Sequence, residues 1–228
     1  MYVPDQYRPP DGSWMLELMR GNPLALLTTN GAGEDGSVPQ ATHLPVIPGP
    51  GFPADPPADL AGGSLLGHLN RANPHWTALP AVTQALLVFS GPHAYVSPAV
   101  YRTSPAAPTW NFAVVHVHGT LEKIESPEET LDVVRATVRA FEAEFGHGWD
   151  MTDSVDYFRR LLPGVGAFRF TVRRAEGMFK LSQEQTPEVR DRVRRAFAGC
   201  GSSRHRETSL LMDRLDRPDA KVPGTHSP

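Results

Sequence analysis

Cysteine is nearly absent from this 228-residue sequence. The single Cys200 can form no internal disulfide, which is typical of a protein from a reducing compartment, so we expect a cytoplasmic protein. Nothing around Cys200 resembles an activated nucleophile, which argues against thiol catalysis. The first residues lack the basic and apolar regions of a signal peptide, and no apolar run approaches the roughly eighteen residues that a membrane helix needs. We expect neither export by that route nor a membrane span.

The sequence also lacks a charge excess and the common catalytic and nucleotide-binding motifs. Its formal net charge of -3 provides no basic field to attract nucleic acid, and no pair of segments has the pattern of a helix-turn-helix. Direct binding to nucleic acid is therefore not expected. No GxGxxG follows a predicted strand, and GxxxxGK[ST], HExxH and GxSxG are absent. Dinucleotide folds, P-loop enzymes, common zinc proteases and α/β-hydrolases have no motif support.

What the sequence has is many turns and many short apolar runs. Its 23 Pro and 20 Gly indicate short elements joined by loops. Periodicity predicts strands at 24–29, 39–46, 64–69, 85–89, 109–124 and 166–172, and helices at 14–21, 127–145, 153–162 and 187–198. Because the helices concentrate after residue 126, we expect an antiparallel α+β arrangement or a barrel. We predict one domain over 1–198 with a helical excursion at about 127–162, an exposed loop at 48–63, and a disordered tail at 199–228.

Chemistry-bearing residues concentrate between Phe89 and Gly119, where three His, two Tyr, Trp110 and Asn111 lie on or between two predicted strands that contain apolar runs. Polar groups at strand ends and on connecting loops are where a rigid scaffold usually presents a site. The aromatic residues could be core anchors or could stack on a planar ligand, and the chemistry alone favours neither. These are Trp76, Tyr95, Tyr101 and Trp110.

Histidines and cations allow two further interpretations. His116 and His118 share one face of a strand, so with His43 or His93 they could form a three-His metal site, although a polar barrel face or interface is the favoured interpretation. Cations near predicted strand ends suit a phosphate group, against the alternative of ordinary surface charge. The cations are Arg71, Arg102 and Lys180, and the hydroxyls that could complete the contact belong to Thr42, Ser97 and Ser182.

Six segments together resemble the successive signature blocks of the PaiB family. They occupy residues 41–45 (ATHLP), 67–76 (GHLNRANPHW), 90–98 (SGPHAYVSP), 108–112 (PTWNF), 115–119 (VHVHG) and 177–183 (GMFKLSQ). The resemblance implies an α+β, mainly β fold, an antiparallel Greek-key split β-barrel with flanking helices, of the flavin-reductase and pyridoxamine-phosphate-oxidase type. It also implies a homodimer that holds FMN at the subunit interface. Members of the family are named FMN-binding negative transcriptional regulators.

The resemblance also suggests roles for individual residues. Arg71 and Lys180 become the candidates to hold the FMN phosphate, with Ser182 completing the contact. The isoalloxazine or substrate region would be lined by Thr42, His43, Tyr95, Trp110 and Asn111. The sequence departs from the family's pattern in its long, Pro-rich 48–63 loop and in the tail after 199, either of which could cover the pocket and change what it accepts.

Two functional hypotheses follow. The first is an FMN-binding split-barrel protein that acts in regulation or as a flavin-dependent oxidoreductase on a planar small molecule. The second is a flavin-independent acid–base enzyme of small-molecule biosynthesis that reuses the same pocket, such as a condensing or cyclising enzyme. The high content of Ala, Pro and Arg is typical of a high-GC actinobacterial gene, a setting where such folds can be recruited into biosynthesis. In that enzyme proton transfer would be carried by His43, His93, Tyr95 and Tyr101.

Overall fold

The computed structural model describes residues 1–31, 38–50, 52–53 and 56–216. The strands are β1 (Leu24–Thr29), β2 (Gln40–Pro48), β3 (Ser64–Asn70), β4 (Val82–Val96), β5 (Thr109–Ile124) and β6 (Val165–Lys180). The α-helices are α1 (Gly12–Gly21), α2 (Pro74–Ala78), α3 (Pro98–Tyr101), α4 (Pro127–Phe145), α5 (Val155–Leu161), α6 (Pro187–Ala198) and α7 (Ser203–Asp216). Short 3-10 helices cover Asp5–Tyr7, Thr152–Ser154 and Leu162–Gly164.

The six strands close into a barrel in the order β1-β2-β3-β6-β5-β4. Strand β1 pairs antiparallel with β2, with Leu27 opposite Thr42, and also with β4, with Leu27 opposite Leu87. Strand β3 joins β2 to β6 in two further antiparallel pairs. The predicted antiparallel barrel with flanking helices is confirmed.

Side-chain alternation along the strands fixes which residues fill the barrel. Every second residue of β5 from Asn111 to Leu121 is buried, while His116 and His118 lie on the opposite, partly exposed face. Gly119 is one of the buried positions, and a Cβ there would come within 2.2 Å of the backbone oxygen of Thr171. The close approach of β6 therefore requires glycine at this position.

Capping residues define the starts of the two long helices predicted from the sequence. The Ser126 hydroxyl accepts a hydrogen bond from the backbone N–H of Glu129 at the start of α4, and the Thr186 hydroxyl accepts one from Val189 at the start of α6. Helix α4 packs on the sheet through Val133, which belongs to a buried apolar cluster. The sheet contributes Ile47, Leu66, Ile124 and Ala167.

Strands β4 and β6 extend to Val96 and Lys180, beyond their predicted ends at 89 and 172, and two further segments differ from their sequence predictions. Residues 59–63, predicted to belong to an exposed loop, pack against β6. The side chain of Leu60 is completely buried, the backbone N–H of Gly62 donates to the Val172 carbonyl, and the backbone N–H of Val172 donates to the Gly63 carbonyl. Gly51, Ala54 and Asp55 of the same loop lie outside the described residues. The prediction of a disordered tail is wrong for α7, because Met212 supplies a buried apolar contact there. Residues 217–228 lie outside the described part of the chain.

The chain divides into two compact units, and the boundaries fall inside the three long strands β4, β5 and β6. The first unit comprises Met1, 10–90 and 115–176, and the second comprises 2–9, 91–114 and 177–228. Across the described ranges, no helix combines the length and the apolar character needed to cross a bilayer.

Candidate functional site

The predicted site residues are distributed between the two units. The first unit contains Thr42, His43 and Arg71. The second contains His93, Tyr95, Tyr101, Trp110, Asn111, Lys180 and Ser182. Each set is described within its own unit.

In the first unit Thr42 belongs to a buried hydrogen-bond network centred on His75. The Thr42 hydroxyl lies 2.9 Å from Nδ1 of His75, and the Thr29 hydroxyl lies 2.8 Å from Nε2. Asn73 caps α2 by accepting from the backbone N–H of His75 through Oδ1, so its Nδ2 is left to donate to Thr42 at 3.4 Å. The network therefore joins β1, β2 and α2.

Both ring nitrogens of His75 are engaged in this network. In the neutral imidazole one nitrogen donates a hydrogen bond and the other accepts one, and the hydroxyls of Thr42 and Thr29 can serve in either role. Burial lowers the pKa of His75, which favours this neutral form. Sequence reasoning placed His75 in one of the segments that resemble the family's blocks but gave it no role.

His43 and Arg71 are more accessible. His43 is exposed on β2 opposite Leu26. The backbone N–H of Arg71 donates to the Gly164 carbonyl at 2.9 Å, and its Nε donates to the Val165 carbonyl at 2.8 Å. Nothing else in the described ranges bonds to its two terminal nitrogens, so a positioned guanidinium fork is available to an anion.

The second unit presents an exposed aromatic patch. Tyr95 on β4 and Trp110 on β5 are 45% and 52% exposed, and their ring centroids lie 5.9 Å apart in an edge-to-face arrangement. The ring of His93 lies 6.0 Å from that of Trp110. A cluster of exposed rings, unlike a single one, is typical of a surface that contacts a ligand or a partner. We call these three residues the aromatic patch.

His93 is held by two contacts that also determine its tautomer. Arg204 on α7 donates from Nη1 to His93 Nε2 at 3.2 Å. The ring proton therefore lies on Nδ1, which donates to the Gly91 carbonyl at 3.4 Å. Because both nitrogens are hydrogen-bonded, His93 offers a ring surface of fixed orientation and has no free nitrogen to act as a base.

Lys180 is one of two cations in the second unit that the sequence singled out; the other, Arg102, is the left-handed C-cap residue of α3. Its ammonium donates to the Thr109 hydroxyl and lies 5.9 Å from the ring centroid of Tyr7. The side chain is partly buried at the end of β6. Neither contact neutralises its charge, so Lys180 retains the capacity to bind an anion.

Three other predicted site residues lie inside the second unit. Asn111 and Ser182 are completely buried and bond to each other, with Asn111 Nδ2 to Ser182 Oγ at 2.9 Å, and Met212 of α7 lies against them. The hydroxyl-bearing ring of Tyr101 is also buried, and burial, with the nearby Glu184 carboxylate, raises its pKa. In this structure these three side chains belong to the packed interior of the second unit.

His116 and His118, in the first unit, lie on the outward face of β5. His118 Nε2 is 3.6 Å from a carboxylate oxygen of Glu176. Burial is the main cause that lowers the pKa of both histidines, and Arg174 lowers that of His118 further. Among the residues that the structure describes, no group of three or more His, Cys, Asp or Glu is placed to hold a metal ion.

Comparison with known proteins gives three consistent matches. A family model described as "Putative FMN-binding domain" matches residues 1–174. A protein of Aspergillus fumigatus is 30% identical over 225 residues, covering 82% of this chain and 86% of the relative. "Protease synthase and sporulation protein PAI 2" of Bacillus subtilis is 27% identical over 187 residues, covering 81% of this chain and 83% of the relative.

A solved structure shows the same fold at low sequence identity. The FAD and heme binding protein from Mycobacterium smegmatis superposes with a TM-score of 0.52 at 16% identity, covering 75% of this chain and 72% of the other. Helices α6 and α7 lie beyond the residues that the family model matches.

Proposed function

Because the chain belongs to the FMN-binding split-barrel family that its six sequence blocks resemble, the PaiB family, we propose that it is a flavin-dependent oxidoreductase that uses FMN. The aromatic patch is the observation that carries this proposal. Two large rings held half-exposed on adjacent strands, with a neutral imidazole beside them, form a surface suited to a planar heterocycle. FMN, when bound, would supply the two-electron chemistry that no side chain of this protein can perform.

The remaining parts of an FMN site are available within each unit. FMN carries a phosphate, and both Arg71 and Lys180 have a cationic head that no carboxylate neutralises in the described structure. A guanidinium fork binds phosphate oxygens in pairs, and an ammonium provides a compact charge. Within the second unit we assign phosphate binding to Lys180 and stacking to Tyr95 and Trp110, and within the first unit Arg71 is the candidate phosphate-binding cation.

The protein residues would position the flavin and control protons around it. The His93 ring, fixed by Arg204 and Gly91, presents an oriented face beside Trp110. Tyr95 has an exposed phenol that can donate a hydrogen bond to a ligand. The candidate for proton exchange with a substrate is Tyr95 in the second unit and His43 in the first, because each is exposed in its own unit.

We propose a homodimer as the working form. The outward face of the first unit's sheet exposes parts of Leu26 and Val88 beside His116. A sheet face of this composition is suited to a second copy of the same face, in the isologous manner of two-fold dimers. The family resemblance independently implies that arrangement.

A regulatory role without direct nucleic-acid contact is the second candidate. The relative from Bacillus subtilis is named for protease synthesis and sporulation, and the family resemblance implies a regulatory role. On α6, however, Arg190 and Arg194 are paired with Asp216 and Asp213 of α7. Basic residues engaged in this way do not form a free phosphate-binding surface, so we expect any regulatory effect to act through the flavin or its substrate.

The flavin-independent acid–base alternative has weaker support in the geometry. Of its four candidate groups, Tyr101 is buried and both nitrogens of His93 are already bonded. Only two groups thus remain accessible for proton transfer, His43 and Tyr95.

Titration of FMN into the purified protein, followed by quenching of flavin fluorescence, tests the proposal. We expect micromolar or tighter binding, weakened about threefold to tenfold in Trp110→Ala because stacking contributes roughly 0.5–1.5 kcal/mol beyond buried area. Trp149→Ala is the matched control, because Trp149 is 50% exposed and packs on Phe158 in the first unit. Equal affinity in all three proteins would remove the assigned stacking site.

A further inference from the structure

A polar groove of about 650 Å³ lies on the first unit, at the end of β1 and across β4, β5 and β6. It includes none of the residues assigned above to FMN. Its lining consists of Thr28, Thr29, Asn30, Pro39, Gln84, Ala85, Leu86, His118, Gly119, Arg173 and Arg174. The volume falls in the range of small-molecule sites, about 300–1,000 Å³.

Two consecutive arginines face this groove because the alternation of β6 breaks there. Phe170 and Val172 are buried and Thr171 is exposed, as the strand pattern requires, but Arg173 and Arg174 are both exposed. A regular strand would direct one of the two inward. The irregularity therefore brings two guanidinium groups to one side of the sheet.

The Arg173 guanidinium is positioned by a neutral group. Its Nη1 donates to Oε1 of Gln84 at 2.7 Å, and Nε2 of the same Gln84 donates to the Thr120 hydroxyl at 2.9 Å. The two bonds fix the orientation of the amide and hold the arginine without cancelling its charge. Arg174 has only a distant ion pair, 3.5 Å from Glu176, and is itself well exposed, so this contact contributes little.

The groove combines this positive charge with neutral hydrogen-bonding groups. No Asp or Glu belongs to the described lining, whereas the neutral polar residues Thr28 and Asn30 do. Thr29 also lines the groove, but its hydroxyl is bonded to His75. The His118 ring, on the same lining, can donate to an anion. A groove with fixed cations, neutral polar groups and no carboxylate among its described lining residues is suited to a group with several negatively charged oxygens.

We propose that this groove binds the phosphate of a small phosphorylated molecule, with Arg173 and Arg174 as the principal contacts. The phosphate could be free or could belong to a nucleoside phosphate, which the volume would also admit. The inference does not rest on the flavin assignment. It adds a second, anionic ligand site to the first unit.

Calorimetric titration of the full chain with adenosine diphosphate, adenosine and inorganic phosphate tests the proposal and separates the two sources. We expect adenosine diphosphate to bind at least tenfold more tightly than adenosine. Binding of inorganic phosphate as well would identify free phosphate as a sufficient ligand, and binding of the diphosphate alone would add a nucleoside contact. If none of the three binds, or if adenosine matches the diphosphate, the proposal is overturned.

Charge-removing variants locate the binding. Arg173→Gln and Arg174→Gln should each weaken the diphosphate at least tenfold while FMN affinity stays within about twofold. Arg169→Gln is the control, because Arg169 is exposed on the same strand and faces Glu129 instead. If the two groove variants lose FMN and keep the diphosphate, the groove is the flavin's own phosphate site and the second-ligand proposal is wrong.

Discussion

The hydroxyl oxygen of Thr42 lies 2.9 Å from Nδ1 of His75, and this contact fastens strand β2 to the short helix α2. Replacing Thr42 by Val keeps the shape and leaves Nδ1 without its hydrogen-bond partner. A buried polar atom left unpaired costs about 1–3 kcal/mol of unfolding free energy. Urea denaturation should show that loss, whereas Thr171→Val, at an exposed position of β6, should change stability by less than about 0.5 kcal/mol. Equal effects of the two substitutions would contradict the network.

The same histidine gives the stability a pH dependence. Burial lowers the pKa of His75 in the folded protein, so as pH falls below about 6.5 the unfolded chain binds a proton first. The contribution of neutral His75 to the free energy of unfolding is therefore fully present above that pH and is lost as the pH falls toward the folded-state pKa. His68, whose pKa is also lowered by burial, adds to the same trend. Urea midpoints measured between pH 8 and 5 should decline in the wild type and decline less in His75→Gln, and parallel profiles would show that His75 is not responsible.

The docking of α7 can be tested on the helix itself. Met212 is 1% exposed and lies against Asn111, whereas Leu210 on the same helix is 66% exposed. We expect Met212→Ala to lower the unfolding free energy by about 2–5 kcal/mol and Leu210→Ala to lower it by less than about 1 kcal/mol. Thermal and urea unfolding supply the measurement. If Met212→Ala leaves the free energy of unfolding unchanged, α7 is not packed as described.

The sequence predicted most of the elements because their signals are local. The Ser126 cap with Glu129 three residues later marked the start of α4, and alternation of buried and exposed residues identified β5. Such signals depend only on residues close in sequence, within one or two helical turns or a few strand positions. They are enough to predict the order of the elements and the class of the barrel.

The features that the sequence did not predict depend on distant contacts. Thr29 meets His75 across 46 positions, and Asn111 meets Ser182 across 71. Helix α7 buries Thr208 and Ser209 as well as Met212, so its inner face has too few apolar residues to give a periodic signal. Burial of the Asn111 and Ser182 side chains likewise follows from the barrel, not from their residue types.

Removing the two proposed phosphate cations should weaken FMN binding selectively. Arg71→Ala and Lys180→Ala each delete a charge-assisted contact worth about 1.5–3 kcal/mol, which corresponds to roughly tenfold to a hundredfold in affinity. Riboflavin, which lacks the phosphate, should bind with nearly the same affinity to the wild type and to both variants. An Arg169→Ala control should leave both ligands unaffected. If riboflavin and FMN weaken equally, these residues support the fold and do not bind the phosphate.

The visible absorption spectrum of the purified full-length protein, before and after addition of FMN, tests flavin binding most directly. We predict visible flavin absorption bands that stay with the protein through gel filtration, either as purified or after incubation with micromolar FMN. A colourless protein that elutes without flavin after that incubation would contradict the proposal that this barrel uses FMN.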